Sequence, residues 1–180
     1  PKQTINYTSQ QVSKAIFNFP KEHLDLDDAA KRLFDACYFS GLIDYCDENE
    51  GLIENMVSDL QADQRHTVFA VQITSTGRTS LHCAVLKDDL KTIDYILSNA
   101  DCVKKRIRLL QLTDNMGNTA IDLISTPQQI KSISSHISEV LFSKLLIMAN
   151  MENQTLYHKA VTSENIRLLD EILKHSTKKY

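Results

Sequence analysis

Apolar residues recur at matching distances after two histidines of the chain, His82 and His158. They follow each histidine at eight, eleven, fourteen and fifteen residues, a spacing that lies on one face of an α-helix. These positions are Leu90, Ile93, Ile96 and Leu97 after the first histidine, and Ile166, Leu169, Ile172 and Leu173 after the second. The pattern predicts an amphipathic helix behind each histidine, with its apolar face turned towards a core.

The segments that contain these histidines repeat the pattern Thr-x-apolar-His-x-Ala-Val, once from Thr79 to Val85 and once from Thr155 to Val161. A third copy runs from Gly117 to Leu123, with Asp122 in the place of the histidine. The helical spacing continues behind it at Ile130, Ile133 and Ile137, although His136 interrupts it. The chain is therefore predicted to contain repeated pairs of helices.

Two residue types in the repeated segment suit the start of a helix. Gly77 and Gly117 stand just before it, where a turn can require a positive φ that glycine adopts without strain. Thr79, Thr119 and Thr155 suit the N-cap position, because a threonine hydroxyl accepts from backbone N–H groups of the first turn.

The first copy reads Gly-x-Thr-x-Leu-His-x-Ala, with its fixed positions at Gly77, Thr79, Leu81, His82 and Ala84. In this order the chain resembles the ankyrin-repeat family, whose pattern is Gly-x-Thr-Pro-Leu-His-x-Ala. The later copies match at fewer positions, which are Gly117 and Thr119, and then Thr155, His158 and Ala160. The usual proline is replaced by Ser80, Ala120 and Leu156, and the usual glycine of the last copy by Asn153.

The resemblance implies an all-α fold, a solenoid of helix-turn-helix units joined by short hairpin loops. Successive threonines are 40 and 36 residues apart (119 minus 79, 155 minus 119), against about 33 in the family, which implies irregular insertions. It also implies that His82 and His158, and Asp122 in the same slot, have a structural role. In the family this histidine bonds the threonine and the backbone near the next hairpin.

The predicted organisation is an N-terminal helical extension or cap over residues 1–28, followed by an ankyrin-like repeat domain over 29–180. Repeat units are predicted at about 29–46, 74–106, 113–148 and 151–177, with an insertion at 47–73. Within that insertion, the apolar residues 68–71 predict a hairpin arm or a short strand. The outer helix of the third unit, over 128–148, is predicted to be unusually long or broken into two.

Composition and charge disfavour several classes of function. The formal net charge is -3, and the short basic run from Lys104 to Arg108 has no interleaved aromatic residues, so nucleic-acid binding is disfavoured. No run of eighteen apolar residues could span a bilayer, and no apolar signal segment follows Pro1. The four cysteines lack the spacing of a zinc or redox pair, and no catalytic or phosphate-binding motif occurs. We expect an intracellular protein, cytoplasmic or nuclear, without cofactor, metal or enzymatic activity.

The resemblance implies that the function is recognition of another protein, on the concave surface formed by hairpin tips and inner helices. The family's contact positions flank the glycine and follow the alanine of each unit. In this chain they are Ser75, Thr76, Arg78, Leu86, Lys87, Asn115, Met116, Asn118, Met151, Glu152, Gln154, Thr162 and Ser163. Arg78 is expected to be the strongest single contact, with Met116 and Met151 as adaptable apolar contacts.

A second hypothesis is that the chain is the targeting or regulatory domain of a larger enzyme, for example a host-directed bacterial effector acting in the host cytosol. The sequence starts at Pro1 without an initiator methionine, which suggests a processed start or a domain cut from a longer protein. Catalysis is then encoded outside this chain. An all-helical enzyme is the third hypothesis, and it requires a cavity that brings Asp, His and Cys side chains together.

Overall fold

A computed structural model describes residues 62–70, 72 and 76–176. In these ranges the chain forms helices, and its extended backbone pairs in an isolated antiparallel bridge between Thr113 and Thr119. The predicted extension at 1–28, the unit at 29–46 and most of the insertion at 47–73 lie outside the described residues. The all-α prediction is confirmed for the part of the chain that the structure describes.

The described helices follow one another with short connections. They are α1 (Ala62–Ala70), α2 (Ser80–Leu86), α3 (Leu90–Ser98), α4 (Val103–Gln111), the 3-10 helix η1 (Ile121–Leu123), α5 (Pro127–Ser135), α6 (Glu139–Leu146), α7 (Leu156–Thr162) and α8 (Ile166–Ser176). The prediction of a hairpin arm or strand over 68–71 is wrong for residues 68–70. Val68 and Phe69 are buried side chains of α1.

The helices form an inner row of α2, η1 and α7, and an outer row of α3, α5 and α8. Within the outer row α3 packs against α5, and α5 packs against α8, while η1 contacts both of its inner neighbours. Leu81, Ile93, Ile133 and Ile172 belong to one continuous apolar cluster between the two rows. The repeats therefore bury their apolar faces against each other, as a stacked array requires.

Local sequence sets the beginning of each outer helix. The Asp89 side chain caps α3 by accepting from the N–H of Thr92 at 3.0 Å. Thr126 and Gln129 form a capping box at the start of α5, and Pro127 occupies the first turn, where its missing N–H leaves no donor unsatisfied. These caps satisfy backbone N–H groups of the first turn and so set where α3 and α5 begin.

Two additional helices explain the long spacing between repeats. The segment α4 follows α3, and α6 follows α5, so each lies between an outer helix and the next hairpin. The predicted outer helix over 128–148 is therefore broken in two. The break lies at His136, which ends α5 as its C-cap, and at Ser138, which precedes α6.

Candidate protein-binding surface

A buried polar residue shapes the base of two successive hairpins. Asp114 Oδ1 accepts from the backbone N–H groups of Met116 and Asn118, each at 2.9 Å. Asn150 Oδ1 accepts from two backbone N–H groups of the next hairpin, at 3.0 and 2.9 Å. Because these side chains satisfy the turn's own amides, they hold the exposed tip residues in fixed positions.

His82 connects two repeat units. Its Nδ1 accepts from the N–H of Thr79 at 3.2 Å and lies 2.8 Å from Thr79 Oγ1, and its Nε2 lies 3.1 Å from the carbonyl oxygen of Asn118. A ring that accepts at Nδ1 and donates at Nε2 is neutral. Burial lowers the pKa of His82, which favours this neutral form.

In the third unit, Asp122 bonds the threonine of its own unit, as His82 does in the second unit. Its Oδ2 accepts from the N–H and the Oγ1 of Thr119, each at 2.8 Å. The connection to the fourth unit is made instead by Lys159, whose Nζ donates to Asn118 Oδ1 at 2.8 Å and to the carbonyl oxygen of Asp122 at 3.1 Å. Asn150 Nδ2 also donates to Asn118 Oδ1, at 2.9 Å.

Two glycines allow successive hairpins to approach closely. Gly77 has φ +69°, and a Cβ at this position would lie 2.6 Å from the backbone nitrogen of Asn115. Gly117 has φ +75°, and its Cβ would lie 2.3 Å from Met151 Cγ. Each hairpin therefore rests on the glycine of the hairpin before it, which places the tips in one row.

Most of the predicted contact residues lie at the surface. The exposed ones are Leu86, Asn115, Met116, Met151, Glu152, Gln154, Thr162 and Ser163, while Thr76, Arg78 and Lys87 are half-buried. Ser75 lies outside the described residues. Met116 and Met151 are 60% and 75% exposed on adjacent hairpins, so two large apolar side chains face solvent close to each other.

Asn118, which is also predicted to contact a partner, is buried in the structure. Asn118 is 7% exposed, and its amide oxygen already accepts from Asn150 and Lys159. Its side chain is therefore part of the framework beneath the hairpin tips. The sequence pattern could not show this, since both partners are more than thirty residues further along the chain.

Arg78 also has a second role beside any contact with a partner. Its Nε lies 3.8 Å from Asp114 Oδ2, and the Asp114 side chain is only 2% exposed. The guanidinium therefore balances a buried carboxylate that shapes the next hairpin. Replacing Arg78 is expected to destabilise the fold as well as change the surface.

A feature that sequence reasoning missed is the short inner helix of the third unit. The outer helix starts eleven residues after the threonine in the second and fourth units (90 minus 79, 166 minus 155) but eight residues after it in the third (127 minus 119). The sequence contains a signal for this shortening, because Pro127 disfavours helical backbone at Thr126. The inner row is thus about one turn short at η1.

The missing turn leaves an open notch of about 510 Å³ beside the fourth unit. One wall consists of Ile124 and Ser125, which follow η1. The other wall comes from the end of α7 and the start of α8, namely Lys159, Ser163, Glu164, Asn165 and Leu168. The predicted contact residue Ser163 is therefore part of the notch.

The fourth unit exposes residues whose counterparts in the second unit are covered by the third. Val161 is 60% exposed, whereas Val85 at the same motif position is fully buried. Ile166 is 78% exposed, whereas Leu90 is half-buried. His158 keeps a 2.9 Å contact between Nδ1 and Thr155 Oγ1, but its ring is exposed.

The described residues offer few features for other kinds of chemistry. Among them, no group of three or more His, Cys, Asp or Glu side chains is placed to hold a metal ion. None of the described helices has the length and apolar character needed to cross a membrane. Burial raises the pKa of the Cys83 thiol to about 11, whereas Cys102 is exposed.

The chain is similar to known proteins in sequence and in fold. No protein-family model matches the chain. The chain is 28% identical over 135 residues to the ANK repeat-containing protein nipk-1 of Caenorhabditis elegans, a match that covers 72% of this chain and 20% of that protein. The chain thus spans about a fifth of the length of this curated relative.

A similar fold occurs in the crystal structure of the yeast ribosomal protein Rps3 in complex with its chaperone Yar1. The matching chain superposes with a TM-score of 0.62 at 16% sequence identity, covering 88% of this chain and 99% of that one. Together with the hairpins, helix pairs and repeated motif described above, these similarities show that the chain resembles ankyrin-repeat proteins in sequence and in fold. Its array is irregular, with α4 and α6 inserted between its units.

Proposed function

We propose that this domain recognises another protein with the surface formed by its hairpin tips and the ends of its inner helices, and that it catalyses no reaction itself. The observation that carries the proposal is the exposure of Met116 and Met151 on adjacent, internally bonded hairpins. Methionine adapts its shape to an apolar partner surface, and a pre-formed backbone reduces the entropy lost on binding.

The fold comparison supports a protein as the kind of ligand. The similar chain comes from a complex of a ribosomal protein with its chaperone, an assembly of two proteins. Within this proposal the recognition array consists of the units at 74–106, 113–148 and 151–177. The unit at 29–46 stays a prediction from sequence.

The proposal is tested by affinity capture with three baits. The purified wild-type domain is compared with a Met116→Ala, Met151→Ala variant and with a Val161→Ala, Ile166→Ala control. The control also truncates two exposed apolar side chains, but they belong to the helices α7 and α8 of the fourth unit and not to a hairpin tip. Proteins retained on each bait are quantified by mass spectrometry, after circular dichroism has shown equal melting temperatures.

We expect a protein that is retained by the wild-type and control baits and lost from the methionine variant. Equal retention by all three baits contradicts the hairpin-tip surface. Retention of nothing by any bait contradicts the recognition function for this domain alone.

A further inference from the structure

We propose that the notch beside the shortened inner helix is the anchor pocket of the recognition surface, and that it accepts an acidic side chain, glutamate or aspartate, of the partner protein. This inference rests on the proposed function, because it names the partner chemistry at the same surface.

Side-chain hydrogen bonds join the third unit to both of its neighbours. Towards the second unit, Gln129 Nε2 donates to the carbonyl oxygen of Val85 at 2.6 Å, and Thr126 Oγ1 donates to Asp88 Oδ1 at 3.0 Å. Towards the fourth unit, Asn165 Nδ2 donates to the carbonyl oxygen of Ser125 at 2.9 Å. That bond joins the two walls of the notch.

Lys159 supplies the positive charge of the notch lining. Its Nζ is bonded to two neutral oxygens, those of the Asn118 amide and the Asp122 carbonyl. No carboxylate lies within 4 Å of it in the part of the chain that the structure describes. An ammonium group has three N–H donors, so one remains for a ligand. A half-buried cation with neutral partners is stabilised when a carboxylate enters beside it.

Apolar, polar and acidic side chains form the rest of the lining. Ile124 and Leu168 are buried, at 4% and 2% exposure, so they add little apolar surface to the notch. Glu164 is the acidic residue of the lining, and it is exposed. It repels an incoming carboxylate, so Lys159 and Glu164 are expected to change the affinity in opposite directions.

The test uses peptides, because no partner is identified. Random dodecapeptides displayed on phage are selected against the wild-type domain, and the most enriched peptide is synthesised with a fluorescent label. Its affinity is measured by anisotropy for the wild type, Lys159→Gln, Glu164→Gln and the control Lys131→Gln, which changes an exposed lysine of the outer helix α5.

We expect the enriched peptides to share a glutamate or aspartate. Lys159→Gln should weaken binding about tenfold, and Glu164→Gln should strengthen it severalfold, whereas the control should have no effect. Replacing the acid of the peptide by glutamine should remove the difference between the wild type and Lys159→Gln. Because Lys159 also bonds the framework, Glu164→Gln decides the question if Lys159→Gln fails to fold.

Enriched peptides without an acid, or equal affinities for Glu164→Gln and wild type, overturn the anchor pocket. If the same peptides still lose affinity for Met116→Ala, Met151→Ala, the proposed function stands without it. A selection that enriches no peptide overturns the pocket, while the three-bait capture decides the proposed function separately.

Discussion

The imidazole of His82 bridges two repeat units, with its Nε2 3.1 Å from the carbonyl oxygen of Asn118. Its other nitrogen accepts from the N–H of Thr79, so one ring fixes a helix start and the position of the next hairpin. His158 occupies the same motif position in the fourth unit, where no described group lies on its Nε2. The two histidines share the local contact with threonine but differ in two respects, since only His82 is buried and only His82 contacts the next unit.

We predict that His82→Asn lowers the free energy of unfolding by about 1–3 kcal/mol, because it removes a buried ring and one of the two donors to the Asn118 carbonyl, the other being the N–H of Asp114 at 2.8 Å. His158→Asn should lower it by less than about 1 kcal/mol, since the exposed ring makes only the local contact. Urea denaturation of both variants measures the difference. Equal losses would mean that the contact with Asn118 contributes nothing to stability.

The imidazole of His82 should also contribute to the pH dependence of the free energy of unfolding. Burial lowers the pKa of His82 from its ordinary value of 6.5, and burial with nearby Lys105 and Arg108 also lowers that of His66. Below about pH 6.5 the unfolded chain then binds more protons than the folded one, so stability present above this pH is lost as the pH falls.

We therefore expect wild-type stability to decrease between about pH 7.5 and about pH 5, and His82→Asn to show a smaller decrease. Urea denaturation at a series of pH values measures the effect. His158→Asn serves as the control for the loss of one capping bond. A decrease that is unchanged in His82→Asn would assign the effect to other groups.

Replacing either hairpin glycine should destabilise the fold, and Gly77 should be the worse position. Alanine at either φ costs about 1–2 kcal/mol. At Gly77 the new Cβ also meets the backbone nitrogen of Asn115 at 2.6 Å, whereas at Gly117 its nearest neighbour is the Met151 side chain at 2.3 Å, which can rotate. Thermal denaturation of Gly77→Ala and Gly117→Ala compares them, and a larger loss for Gly117→Ala would contradict this explanation.

A substitution at Ser80 should stabilise the protein. Ser80 is the first residue of α2, its hydroxyl is buried, and neither this hydroxyl nor its amide has a hydrogen-bond partner in the described part of the chain. Thr79 is already extended, with φ -93° and ψ 171°, as a residue before proline prefers. We expect Ser80→Pro to raise the free energy of unfolding by about 0.5–1 kcal/mol, with Ser80→Ala as the control for removal of the hydroxyl. A lower stability for the proline variant would rule out this geometry.

Thiol chemistry should distinguish two cysteines. The thiolate is the reactive form, and burial raises the pKa of Cys83 to about 11, so this residue should resist alkylation in the folded protein. Cys102 is exposed and should react readily. Iodoacetamide labelling followed by peptide mapping separates these positions from Cys37 and Cys46. Labelling of Cys83 as fast as Cys102 would mean that α2 opens locally.

Much of the fold could be predicted because the outer helices carry a strong period. The apolar spacing behind His82 and His158 predicted α3 and α8, which bury Ile96 and Ile172 completely. The run from Val68 to Ala70 has no such period, and its apolar residues predict a hairpin arm or a strand although the run ends a helix. Short apolar segments do not distinguish the two states, so packing decides them.

The surface was harder to predict because it depends on contacts between units. The motif placed Met116 and Met151 on hairpin tips, and both are exposed. It also placed Asn118 there, whereas Asn150 and Lys159 bond it from the following unit. The notch arises because the outer helix of the third unit begins three residues sooner after its threonine than the outer helices of the second and fourth units do. A single copy of the motif does not show this difference.

Val85 and Val161 occupy equivalent sequence positions but differ strongly in burial. Both occupy the last position of the same motif, but Val85 is fully buried and Val161 is 60% exposed. Val85→Ala should lower the free energy of unfolding by about 2 kcal/mol, because it leaves a cavity in the core. Val161→Ala should change it by less than about 0.5 kcal/mol. Equal losses in urea denaturation would mean that Val161 is covered in solution, and sedimentation velocity would then show whether a second copy of the chain covers it.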